Sequence, residues 1–130
     1  MLATLALLVL ALLFGGMVLY SFGFAAFLFT TLPPETAGPT IRKAFPHFYL
    51  FVIATAVLAA LLLWPVDPLA AALMALVAAT TVPTRQILMP AINAATDAGA
   101  KGRFARLHGL SVAITLAHIA AAGYALARFA

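Results

Sequence analysis

An all-α integral membrane protein, a four-helix bundle of antiparallel up-down topology, is the fold class this sequence predicts. Hydrophobic residues make up 66% of the 130-residue chain, charged residues only 8%, and the mean hydropathy is +1.17. A water-soluble domain of this length has no core large enough to hide so much apolar side chain. The apolar residues also fall into four runs, each close to or above the roughly 20 residues that cross about 30 Å of hydrocarbon at 1.5 Å per residue. These runs are apolar all round, whereas a membrane barrel needs alternating segments of about ten residues, so strands fit poorly.

The first helix is expected from Leu2 to Thr31, long enough to span with tilt, and it contains Gly15, Gly16 and Gly23. Reading this run as a cleaved signal peptide fits poorly, because it opens without Lys or Arg and far exceeds an apolar region of roughly 7 to 15 residues. The second helix is expected from Ala44 to Trp64. It ends at WPVDP, where Pro65 and Pro68 bracket Asp67 in a short hairpin connection. The third runs from Leu69 to Leu88 with Pro83 inside it, and the fourth from Phe104 to Arg128, entered through PAINAATDAGAKGR. Residues 1–130 are expected to form a single four-span domain. The segment FTTLPPETAGPTIRKAFPHFY, Phe29 to Tyr49, reads as a connector: Pro33 and Pro34 end the first helix and Pro46 suits the first turn of the second.

Charge acts here as a topological signal. The net charge of +4 rests on seven cations, too few to form a phosphate-tracking surface when most of the chain lies in hydrocarbon, so nucleic acid is not an expected partner. Arg42 and Lys43 lie in the first connection and Lys101, Arg103 and Arg106 in the third, with Arg85 near its edge; the second holds none. The first and third connections should therefore be cytoplasmic and both termini should face the other side, with only Arg128 opposed. The absence of cysteine excludes disulfides, thiolate metal sites and cysteine nucleophiles.

Two places could hold chemistry. Arg85 follows TTVP, where Pro83 cannot donate to the Ala79 carbonyl and Thr80, Thr81 and Thr84 supply hydroxyls to an opened backbone. Its readings are an interfacial anchor, an ion pair with Glu35 or Asp97, or, together with Asn93, recognition of an anionic or polar ligand. On the fourth helix, His108, Ser111, Thr115 and His118 fall within about 80° of one another, one polar stripe that lipid cannot satisfy. The stripe reads as haem or metal ligands, as a proton-carrying line, or as interhelical hydrogen bonds worth about 0.6 kcal/mol each. His108 and His118 are about 15 Å apart along the axis and cannot share an ion, so His47 is the histidine that could complete a haem or metal pair with His108.

The remaining pattern is packing. Ala113, Ala117, Ala121 and Ala125 recur every four residues, and Gly16 and Gly23 offer a similar small face, either within the bundle or toward a second copy or a larger membrane partner. Nucleophilic catalysis has little support: Ser111 lies one turn from His108, but there is no strand-to-helix elbow and no glycine-rich phosphate cradle.

LPPETAG followed by RKAFPHFY, then TRQILMPAINAATDAG, then RFARLHGLS, in that order and spacing, resembles the transmembrane protein 205-like family, in bacteria a domain of unknown function. The resemblance runs from about Gly16 to Arg128 and implies a small four-span protein of a bacterial inner membrane. Three functional classes follow: binding or translocation of a small solute or ion at a cytoplasmic-side polar cluster, an accessory or assembly subunit, and a haem- or metal-binding protein.

Overall fold

The computed structural model describes residues 1–129. It is all-helical among those residues: α1 spans Leu2–Thr31, α2 Pro34–Leu63, α3 Pro68–Asp97 and α4 Lys101–Ala127. All four are long and apolar enough to cross a bilayer. Neighbours pack in a ring, α1 on α2, α2 on α3, α3 on α4 and α4 on α1, which leaves α2 and α4 on the diagonal.

The second helix begins ten residues earlier than expected, at Pro34, so the predicted connector shrinks to Leu32 and Pro33. Pro33 is extended, at φ −58° and ψ 151°, and Pro34 occupies the first helical turn, where a missing N–H costs nothing. Pro39 and Pro46 then lie inside α2. The third helix likewise continues past Leu88 to Asp97. The last connection turns at Gly99, whose φ of +65° suits glycine.

Two widened turns interrupt the α-helical ladder. In α1 the segment Leu19–Phe24 is π-helical, and the Ala25 N–H reaches back five residues to the Tyr20 carbonyl. In α3 the segment Thr84–Leu88 does the same, with the Met89 N–H on the Thr84 carbonyl. The second lies between Pro83 and Pro90, two residues that cannot donate to the ladder and whose rings crowd the carbonyls four residues back.

The core is built from Leu10, Leu13 and Met17 of α1, Val52 and Leu63 of α2, and Met74 of α3. Where α2 and α3 lie closest, small residues line both helices: Ala56 and Ala59 on one, Ala70, Ala71 and Ala78 on the other. Outside, Leu12, Leu19, Phe27, Leu61, Leu76, Ile87 and Leu116 are exposed. A belt of that size is intolerable in water and ordinary against lipid.

Candidate functional site

The turn around Pro83 carries three threonines whose hydroxyls bond carbonyls of their own helix. Thr80 Oγ1 donates to Leu76 O at 2.7 Å, Thr81 Oγ1 to Val77 O at 2.6 Å and Thr84 Oγ1 to Thr80 O at 2.8 Å. Across the helix interface, His118 Nε2 lies 2.7 Å from Thr80 Oγ1. Tyr49, Thr81, Thr84, Thr115 and His118 line an internal cleft together with apolar residues such as Met17 and Val52, and it is too tight to admit a water molecule. The predicted stripe on α4 thus faces inward at Ser111, Thr115 and His118 but not at His108, which is exposed and stacked on Phe104 with centroids 5.3 Å apart. Ser111 is buried and donates to its own helix, at His108 O, 2.7 Å away.

Arg85 is half-buried and turned toward α2, where its Nε donates to Pro46 O at 3.2 Å; Nη1 donates to Gln86 Oε1 at 3.0 Å. The expected carboxylate partners are elsewhere. Asp97 is twelve residues on, about 18 Å along the same helix, and pairs with Arg42 Nη2 at 2.9 Å. Asn93 takes part through its backbone, its carbonyl accepting from the same Arg42 nitrogen at 2.8 Å, the familiar placing of a cation at a helix C-terminus. Glu35 is exposed in the first turn of α2, where a negative charge complements the helix dipole.

The Pro46 turn is gripped from both sides by the widened turns of its neighbours. Tyr20, from the π-helical segment of α1, donates to Ala44 O at 2.9 Å and stacks on Phe48 with centroids 4.9 Å apart. Arg85, from that of α3, takes Pro46 O. Beside this turn a groove of about 720 Å³ opens on the lipid face between α1 and α2. Its walls are mostly apolar, including Leu12, Phe24, Phe27 and Phe51, with Gly16 and Gly23 between them and with Tyr20 and His47 as the lining residues that carry polar atoms. Sequence reasoning missed this groove. Its signal was the pairing of two glycines seven apart on α1 with aromatic residues at helical spacing on α2.

The histidines do not converge. His47 is exposed at the groove, His108 is exposed on the diagonal helix, and His118 is inside against Thr80. Among the described residues no three His, Cys, Asp or Glu side chains gather as metal ligands.

A family model described as "Domain of unknown function (DUF4149)" matches residues 8–101, well over half the chain. The chain belongs to this DUF4149 family. No curated protein and no solved structure matches it. The DUF4149 match takes in most of α1, all of α2 and α3, and hence the groove, the threonine turn and Arg85; it stops at the first residue of α4. Ser111 and His118 therefore lie beyond it.

Proposed function

We propose that the protein binds an anionic amphiphile of the membrane, its chain in the groove between α1 and α2 and its head at His47 and Lys43 on the cytoplasmic side. The groove carries this reading. Its volume of about 720 Å³ falls within the roughly 300 to 1,000 Å³ of small-molecule sites, and apolar walls with few polar groups, here His47 and a Tyr20 hydroxyl already donated to Ala44 O, are what a lipid-like ligand requires. Lys43 lies four residues before His47, hence one turn away on the same face of α2. It is exposed and, among the described residues, has no ion pair. Arg42 beside it is already held by Asp97, so Lys43 is the cation left for an anionic head. This moves the expected small-solute site from Arg85, which is turned to Pro46 O and Gln86 Oε1 through its Nε and Nη1, to the neighbouring turn of α2, where the groove opens. The resemblance to transmembrane protein 205-like proteins agrees with a place in a bacterial inner membrane, and translocation of the amphiphile would add only movement to the same contacts.

The test is thermal stability and native mass spectrometry of the purified protein with phosphatidylglycerol or phosphatidylcholine. A Cβ at Gly23 meets only Leu19 of its own helix, at 3.1 Å, so Gly23→Leu fills the groove without pushing on α2. Wild type should retain and be stabilised by the anionic lipid, Lys43→Gln should lose the preference, and Gly23→Leu should lose the binding. Equal retention of both lipids by all three proteins would overturn the proposal.

A further inference from the structure

His118 is held in a way that leaves one ring nitrogen free. Thr80 Oγ1 gives its single proton to Leu76 O at 2.7 Å, with Val77 O a second, longer acceptor at 3.3 Å. Toward the imidazole it can offer only a lone pair, so the 2.7 Å contact requires that His118 Nε2 carry the hydrogen. In the neutral ring Nδ1 is then an acceptor, and it has no protein partner among the described residues.

The cleft around that ring is rich in acceptors. Thr81 and Thr84 have committed their protons to Val77 O and Thr80 O, so what they present to the cleft is lone pairs, and Thr115 and Tyr49 add two further oxygens. The charged and titratable groups facing the site are few. Helix α1 presents Met17 and α2 presents Tyr49; Arg85 of α3, five residues on from Thr80, points away to Pro46 O. The three carboxylates of the chain, Glu35, Asp67 and Asp97, all lie at helix ends. His118 is therefore the titratable imidazole of the cleft, and no cation faces it there.

We infer that His118 is a proton-binding site within the membrane. One N–H bond forms at Nδ1, which has no protein partner and is not among the fully buried polar atoms, while Nε2–H stays on Thr80. Thr80 is a positioning residue that fixes the tautomer. The site is independent of the lipid groove, from which Phe48, a residue common to the walls of both, divides it.

The test uses the His47→Gln/His108→Gln double variant in lipid bilayers, leaving one histidine for ¹⁵N NMR between about pH 8 and pH 4, the range over which imidazole titrates. At the upper end Nε2 should be protonated and Nδ1 bare; at the lower end both should carry hydrogen. A spectrum that never changes, or a bare Nε2 at high pH, would overturn the inference. Thr80→Val should lower proton affinity about tenfold or more, the scale of one hydrogen bond to a charged group, and Thr80→Ser should restore it. An unmoved midpoint in Thr80→Val would show that Thr80 does not set the site.

Discussion

Asp67 closes the end of the molecule where α1 begins and α4 ends. Its Oδ1 accepts the Ala70 N–H at 3.2 Å as the N-cap of α3, and both carboxylate oxygens accept from Arg128, at the end of α4. The Arg128 guanidinium also lies 5.8 Å over the Tyr124 ring. The hydrogen bonds from Arg128, helped by those from the Ala70 and Leu69 amides, hold the Asp67 carboxyl below its ordinary range, and the same contact pushes Arg128 up. A carboxylate whose folded pKa is depressed contributes stability that is complete above its unfolded value, near 3.8, and is lost as pH falls through the lower folded value. Asp67→Asn keeps a good N-cap, since Asn and Asp rank together there, and removes the charge. Its melting temperature should fall below that of wild type by a gap that is constant from about pH 8 to pH 5 and closes below about pH 4; a gap that persists at pH 3 would mean packing was lost and not charge. Arg128, which entered the sequence reading only as an exception to the topology rule, was in fact legible: Asp67 and Arg128 are the one acid and the one cation on that side. Arg85 was harder, because its partner is a backbone carbonyl exposed by the shape of α2, and no composition rule lists carbonyls.

The four spans were legible from apolar length alone, but their ends were not. Hydropathy marks where hydrocarbon stops, whereas α2 continues for ten more residues through Pro34–Lys43. Pro34 sits in the first turn, where the missing N–H costs nothing, while Pro39 removes one bond from the ladder, a loss offset where Arg42 ties the extension to the last turn of α3 through Asp97 and Asn93. The small-residue stripe of α4 shows the same limit. Ala113 and Ala117 are exposed, Ala121 is half-buried and Ala125 is fully buried, so a period of four gradually crosses from lipid to core on a helix that repeats every 3.6 residues. The stripe is accordingly not one packing face of the bundle: only its Ala121–Ala125 end turns inward. Ala125→Leu should lower stability by about 1 to 3 kcal/mol through overpacking, while Ala117→Leu in detergent should leave stability within about 0.5 kcal/mol of wild type. Gly16 has a clear role by comparison: a Cβ there would come 2.6 Å from the Phe51 ring, so it is the point at which α1 and α2 come together. If Ala117→Leu proved as damaging as Ala125→Leu, that part of α4 would have to be covered by another chain.

For the whole molecule, an even number of helices puts Leu32–Pro33, the Gly99 turn and the Arg42–Asp97 pair at one end, with Asp67, Arg128 and Met1 at the other. Six of the seven cations belong to the half that ends in Gly99. The bias toward Lys and Arg on the cytoplasmic side then predicts that this end is cytoplasmic. It also predicts the leaflet from which the groove is reached, because His47 and Lys43 lie on that half of α2. The chain has no cysteine of its own, so single cysteines report cleanly. A cysteine at Ala98 should be shielded from a membrane-impermeant maleimide added to intact cells and labelled once the membrane is opened, and one at Val66 should be labelled in both. Both sites are exposed in the fold, so folding does not decide the outcome. The reverse pattern would invert the protein and place Lys43 in the outer leaflet, where an anionic amphiphile would have to be drawn from the opposite side of the membrane.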